Sequence, residues 1–418
     1  MMTQAYYTGI SGLKTTSNGI DILSDNLANA NTVGFKGTSY EFASLFEQSI
    51  STANTNTTDN TIGLGSRLQA TTMMDTTGNS MLTDKSTDLA IYDDGWFGVA
   101  SGKDTYYTRN GAFSFDANND LVTDDGAYVL GTMGGNISGN ILTKQLGDVP
   151  LGETSTQTKL TFPKELNFPV DPTTESKFEG NLSTENEVRT MSATVIDGQN
   201  NKNDLRLEFT KADPQPETGI KWNVTATTKS LDGETIYDTK TGVVEFSEAG
   251  ALKSSTLTTI DNNGTQVKID LGSGFSGVVS IANVPVTADS TSNGKMGGEL
   301  AGYDINQNGE VVATFTNGAQ SSVGQIAVYH FQNDQGLDRV TGTKFKQSEN
   351  SGKPVFFKDA QGQNVIGTDI ANYRLEGSNI DMTYSLTEMI VLQRSYESNS
   401  KVVTTADEMI QKALDMDA

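Results

Sequence analysis

Few side chains in this sequence are equipped for chemistry. The 418 residues include one histidine, His330, and no cysteine, which removes disulfides, thiolate metal sites, cysteine nucleophiles and multi-histidine metal sites together. A Ser-His-Asp triad would have to use His330. That residue lies in the alternating run Ile326-Ala-Val-Tyr-His-Phe331, so a strand position is the simpler reading. Asp304-Ile-Asn-Gln-Asn-Gly309 copies the first half of a calcium loop, but Phe315 stands where a bidentate Glu must close the cage. Asp116-Ala-Asn-Asn-Asp120 fails similarly, with Leu121 where the sharp turn needs Gly. Both stretches read as turns. No glycine-rich phosphate loop occurs between a strand and a helix, and no carboxylate spacing singles out a glycosidase-type pair. No catalytic residue, cofactor or metal is expected.

Charge narrows the partners. Against 29 basic residues stand 52 acidic ones, a net charge of −23 with no Lys/Arg cluster, which argues against nucleic acid as a ligand. No apolar run approaches the length of about 18 residues needed to cross a bilayer, so no membrane insertion is expected. The opening Met-Met-Thr-Gln-Ala-Tyr-Tyr has neither the basic n-region nor the apolar h-region of a cleaved signal peptide.

The elements that position these groups differ between the ends and the middle. Tyr6, Leu13, Ile20 and Leu27 follow a seven-residue step, with Ile10 and Leu23 on intermediate turns, which predicts an amphipathic helix ending near Asn29-Ala-Asn-Thr-Val-Gly34. From Met389, steps of three and four give Leu392, Tyr396, Asn399, Val403, Ala406, Ile410 and Ala413, flanked by Leu386, Ile390, Val402, Met409 and Leu414. No Gly or Pro interrupts from Met382 onward, so a second long helix is expected. Two such seams at opposite ends favour a coiled coil joining the termini. The middle is rich in Thr, Ser, Gly and Asn, with turn pairs such as Asp125-Gly126, Asp197-Gly198, Asn263-Gly264 and Asn317-Gly318. At roughly 150 residues per domain the chain holds two to four domains. Leu205-Arg-Leu-Glu-Phe209, Trp222-Asn-Val-Thr-Ala226 and Val243-Val-Glu-Phe246 are strand candidates of a domain inserted into another. Ser49–Asn60 is polar, of low complexity, and reads as a mobile loop.

The motifs at both ends are specific. Ser11-Gly-Leu13 followed by Asn26-Leu-Ala-Asn-Ala-Asn-Thr-Val-Gly-Phe-Lys36 resembles the N-terminal signature of the bacterial flagellar rod and hook proteins. Leu375-Glu-Gly-Ser-Asn-Ile-Asp381, Gln393-Arg-Ser-Tyr396 and Thr404-Thr-Ala-Asp-Glu-Met409 are similar to that family's closing helix. Tyr107-Thr-Arg-Asn-Gly-Ala-Phe113, Asp120-Leu-Val122 and Gly126-Ala-Tyr-Val-Leu-Gly131 resemble segments shared across it. Thr314-Phe-Thr-Asn-Gly-Ala-Gln320 and Gly324-Gln-Ile-Ala-Val328 resemble its hook members. Trp96 stands where the family has a smaller aromatic, and Ser395, Ser398 and Ser400 where it commonly has alanine.

The resemblance implies a mixed, multidomain fold: long terminal α-helices forming a coiled coil, with nested mainly-β outer domains. The expected division is a helical domain (1–32 and 378–418), a connecting segment (33–75 and 360–377), an inner β-domain (76–160 and 300–359) and an inserted outer β-domain (161–299). It implies a non-enzymatic hook subunit that polymerises with itself into a flexible hollow tube outside the cell and transmits torque from rod to filament. Partners would be rod proteins, cap and hook-filament junction proteins, and the flagellar type III export apparatus, through which the chain passes without a cleaved signal. A distal rod or other axial subunit is the alternative; a secreted β-rich carbohydrate-binding protein or hydrolase is less favoured. The expected polymerisation seam is Tyr6, Ile10, Leu13, Ile20, Leu27, Leu386, Met389, Ile390, Tyr396, Val403 and Ile410. The motif residues carried over are Asn26, Asn29, Asn31, Gly34, Phe35, Lys36, Asn379, Asp381, Gln393 and Arg394.

Overall fold

The computed structural model describes residues 2–45, 47–49, 61–185 and 187–416. The stretch read as a mobile loop lies, apart from Ser49, outside the described residues. Two helices bracket the chain, α1 (Met2–Ala28) and α2 (Met382–Met416), and everything described between them is strand, turn or loop but for one short 3-10 turn, Asp334–Gly336. α1 stops where the Asn-rich stretch begins, and Asn29 closes it by donating from Nδ2 to the Asp25 carbonyl (2.9 Å). Asp381 starts α2 as an N-cap: its Oδ1 accepts from the backbone N–H of Thr383 (2.8 Å) and of Tyr384 (3.1 Å). No helix among the described residues is long and apolar enough to cross a membrane.

Next to the helices lies an antiparallel pair, Thr38–Ser44 with Ser66–Met73. Beyond it, a large sheet places Trp96–Ser101, Tyr128–Met133, Gln320–Ile326, Glu310–Phe315 and Gly298–Ile305 side by side. Its core gathers Phe97, Phe113, Leu121, Val129, Phe162, Phe315 and Ile326. The outer unit packs a five-stranded antiparallel meander, from Arg189–Ile196 to Leu252–Ser255, against a six-stranded sheet around Glu175–Asn181. Alternation sets the inward face here: along Lys202–Lys211 the buried positions are Asn203, Leu205, Leu207 and Phe209. All three strand candidates of the sequence lie within observed strands, Lys202–Lys211, Ile220–Ser230 and Ile236–Phe246.

The turn pairs act as hairpin corners, and Asn263-Gly264 has positive φ at both residues (52° and 87°), the requirement of a type I′ turn. Asp197-Gly198 differs, because there the left-handed residue is Asn200 (φ 68°). One expected boundary moves. Phe162, Leu166 and Phe168 are buried in the inner core, so the excursion to the outer unit begins near Val170, not at residue 161. It returns through Gly294–Gly297, and the two linkers are joined by a bridge between Asp171 and Lys295 with bonds of 2.9 and 2.8 Å.

Candidate assembly site

The two helices pack antiparallel along their length. A Cβ placed on Gly9 would lie 2.7 Å from Val403 Cγ2, on Gly12 2.7 Å from Asn399 Nδ2, and on Gly19 2.8 Å from Leu392 Cδ1. As the α1 number rises its partner's falls. The α1 stripe facing α2 is therefore built of glycines spaced three and seven apart, which let the backbones approach at the cost of helix propensity, about 1 kcal/mol each. On α2 the buried residues are Ser385, Leu392 and Ala406. Thr15 and Thr16 return their hydroxyls to the carbonyls of Ser11 and Gly12, both at 2.8 Å.

The expected seam residues divide. Tyr6, Leu13, Ile20 and Leu27 on α1 and Met389, Val403 and Ile410 on α2 are half-buried. Ile10, Leu386, Ile390 and Tyr396 are exposed, Ile390 by 59%. Sequence reasoning sought large apolar residues and so grouped two faces of α2 as one; the glycines that mark the covered face went unweighed. Ser395 and Ser400 are half-buried, and Ser398 is exposed.

Below the helices, the carried-over motif residues converge on one carboxylate. Lys36 Nζ donates to Glu376 Oε1 at 2.8 Å and Arg109 Nη1 to Glu376 Oε2 at 3.2 Å, with all three side chains at most 3% exposed. Gly78 N–H adds a third donor (3.0 Å), and Lys36 also reaches the Thr76 carbonyl (2.9 Å). Burial pulls the Lys36 ammonium below its ordinary pKa, as does the nearby Arg109 guanidinium; Glu376 opposes both. The Gly34 N–H donates to the Glu376 carbonyl at 2.7 Å, from a backbone with φ +67° where a Cβ would meet the Asn110 backbone.

Two asparagines extend the clasp. Asn26 pairs both ways with Thr38, donating to its carbonyl (2.8 Å) and accepting from its N–H (2.9 Å), which fixes α1 on the first strand. Asn379 accepts from Gly37 N–H (2.8 Å) and donates to the Met74 (3.0 Å) and Thr76 (2.9 Å) carbonyls. Phe35 is buried under the Arg339 guanidinium, 4.8 Å from its ring, and Arg339 donates to the Lys36 carbonyl. The same guanidinium lies 5.2 Å from Phe345, whose ring meets Trp96 at 4.8 Å; Arg109 sits 5.4 Å over Trp96. Lys36, Glu376, Arg109, Trp96, Phe345, Arg339 and Phe35 thus form a closed circuit through both signatures and the inner domain, and Trp96 fills it. Asn31 and Gln393 are exposed, and Arg394 is an exposed partner of Glu397 (3.0 Å). Sequence reasoning quoted Glu376 and Arg109 inside motifs without seeing that they meet; nothing in the spacing signals that contact.

The places considered for chemistry hold turns and packing. Asp116 Oδ1 accepts from the N–H of Asn118 (2.7 Å) and Asp120 (2.9 Å), closing its own loop, and Asp304 Oδ1 accepts from Ser86 (3.0 Å). His330 is buried, with Nε2 2.6 Å from the Ile366 carbonyl, and burial lowers its pKa.

The chain is thus a multidomain protein whose ends pair as antiparallel helices, whose β-units nest one within another, and whose buried charges clasp its segments together. Matches to family models sharpen this: "Flagella basal body rod protein" over residues 7–36, "Flagellar hook protein FlgE/F/G D1 domain" over 90–167 and "Flagellar basal body rod FlgEFG protein C-terminal" over 371–416. The chain is similar to the flagellar rod and hook proteins in these three segments, and the matches together support a flagellar hook protein. It is 28% identical to the flagellar hook protein FlgE of Borreliella burgdorferi over 98% of this chain and 99% of that one. With the FlgE of Escherichia coli K12 the identity is 27%, over 99% of this chain and all of the other. The crystal structure of Helicobacter pylori flagellar hook protein FlgE2 shares the fold, with a TM-score of 0.53 over 71% of this chain and 100% of that chain at 15% identity.

Proposed function

We propose that this chain is the structural subunit of the bacterial flagellar hook, polymerising into a flexible hollow tube that passes torque from the rod to the filament. The observation that carries the reading is the face of α2 that α1 leaves open. Leu386, Ile390, Val391, Tyr396, Val402 and Leu414 are all more than 40% exposed on α2, large apolar side chains that α1 leaves uncovered and that an interaction surface would bury. Copies of the same chain cover them, and a head-to-tail contact that does not close on itself builds a helical tube. In that tube the terminal helices (1–32 and 378–418) form the inner coiled-coil layer. The clasp in the connecting segment sets their angle to the inner β-domain.

The outer unit hangs on two linkers bridged at Asp171 and Lys295, which suits a part that shifts against its neighbours as the tube bends. The protein does no catalysis. It leaves the cell through the flagellar export apparatus as an unfolded chain, and rod, cap and junction proteins meet it at the ends of the polymer. A distal rod role is the second reading, and the large outer unit favours the hook over it. Electron microscopy of purified protein in ammonium sulfate tests the assignment. Hollow, curved tubes are expected; protein that stays monomeric or forms only amorphous aggregate contradicts it.

A further inference from the structure

His330 is the one histidine of the sequence, and it is buried directly after the strand Val328–Tyr329. It exchanges both backbone hydrogen bonds with Val355: its N–H donates to the Val355 carbonyl at 3.0 Å, and the Val355 N–H returns a bond of 2.9 Å. From there residues 353–369 run over the inner domain as a strap. Phe356 packs on Tyr329 with ring centroids 5.0 Å apart, and the Phe357 ring lies 4.3 Å from the imidazole. Two glycines make room for this arrangement. A Cβ on Gly95 would lie 3.2 Å from His330 Cε1, and one on Gly367 would run into the Phe357 ring. Beyond the strap the chain continues through Ile370–Asn372 and Arg374–Glu376 to the buried clasp.

The two ring nitrogens are unequal. Nε2 lies 2.6 Å from the Ile366 carbonyl, which can only accept, so Nε2 carries the hydrogen and Nδ1 is bare in the neutral ring. Nδ1 is shut off from solvent and has no hydrogen-bond partner among the described residues. A proton added there would create a buried donor, on a charged ring, with nothing to accept it. The elements packed around the ring carry Asp93 and Asp94 on the turn before Trp96–Ser101, Arg109 after Asp104–Thr108, and Lys353, Lys358, Asp359 and Asp369 on the strap. Burial is the largest influence and holds the imidazole below its ordinary pKa; the Ile366 carbonyl and Asp94 favour the charged ring, and Arg109 opposes it.

We propose that His330 is an acid-sensitive latch: the neutral ring pins the strap 353–369 to the inner domain, and protonation releases it. The open strap gives Nδ1 access to water, so it takes up the proton that the closed strap refuses. The stability of the closed strap is therefore complete above the ordinary imidazole value of about 6.5 and is lost as pH falls below it, until the lower value of the closed state is reached. Within that window the opening equilibrium should rise by up to about ten-fold per pH unit, the slope for uptake of one proton. Acid thus loosens the segment that feeds Glu376 and α2, while the sheet behind it stays formed.

Two measurements on the full-length chain test this. With isotope-labelled histidine, nuclear magnetic resonance sees a single imidazole, which should show the Nε2–H tautomer and titrate below about 6.5. Hydrogen exchange, corrected for the intrinsic rate at each pH, should show residues 353–369 losing protection between about pH 7 and pH 5, while Gln320–Ile326 and Lys202–Lys211 keep theirs. His330→Gln keeps a donor for the Ile366 carbonyl but cannot titrate, so its strap should be protected equally at both pH values. Should that variant fail to fold, the tautomer and titration of the wild type decide. An imidazole that titrates at or above about 6.5 overturns the latch. So does an Nδ1–H tautomer, a strap equally protected at both pH values, or the same loss of protection in His330→Gln.

Discussion

Lys36 and Glu376 stand 340 positions apart in the chain and 2.8 Å apart in the fold, both almost wholly buried. With Arg109 on the other carboxylate oxygen, one anion holds two cations from three segments. The N-terminal and C-terminal signatures are thus held to each other through one buried carboxylate.

Glu376→Ala should leave two buried cations unpartnered. Breaking a buried pair costs about 3–5 kcal/mol, a large share of a domain stability of about 5–15 kcal/mol. A fall of that size in the urea stability of the full chain is expected. Replacing Lys36, Arg109 and Glu376 together by Met, Met and Leu should cost less than Glu376→Ala alone, because no charge is stranded. A triple variant weaker than the single one would mean that the ion pairing itself carries the stability.

The glycine stripe of α1 gives a prediction opposite to helix propensity. On an open helix face Gly→Ala gains about 1 kcal/mol, but a Cβ at Gly19 would lie 2.8 Å from Leu392 Cδ1 and 3.1 Å from Phe42 Cζ. Gly19→Leu should lose about 1–3 kcal/mol through overpacking and splay the helices, read as a drop in helical circular dichroism. Unchanged helicity and melting would mean the helices do not pack here.

Acid should act on the outer unit through Asp197. Its carboxylate is fully buried, which alone would raise its pKa. It accepts from Asn263 Nδ2 (2.7 Å), from the backbone of Asn201 (2.8 Å) and Gln199 (2.9 Å), and from the Asn201 and Asn203 amides, so the net shift is downward. A lowered folded pKa means that the stabilisation is present above the unfolded value of about 3.9 and is lost as pH falls through the folded value. Asp197→Asn should therefore be less stable than wild type near neutral pH, and the gap should close below about pH 4. Urea melts across that range check it; a gap constant with pH contradicts it.

Much of this architecture was legible beforehand. The end of α1 follows from the Asn-rich stretch at Asn29, α2 from the run without Gly or Pro that begins at Met382, and the outer strands from alternation such as Leu205, Leu207 and Phe209, because burial on one face writes itself into local spacing. The clasp was not legible in that way. Lys36, Glu376 and Arg109 are ordinary charged residues until the fold brings them together. Gly9, Gly12 and Gly19 were visible but silent, since an apolar stripe is sought in large side chains whereas close backbone approach needs small ones.

Assembly through the open face of α2 is the central claim, and hydrogen exchange measures it directly. In a verified monomer the amides of α1 and α2 should exchange quickly, because one helix pair with an uncovered apolar face is marginal, while the buried strands around Phe97 and Trp222 exchange slowly. In the tube the helices should become as slow as those strands, and Ile390→Asp should leave the monomer's pattern unchanged while abolishing tubes. Helices equally protected in monomer and tube, or tubes that form normally with Asp at position 390, would contradict the account.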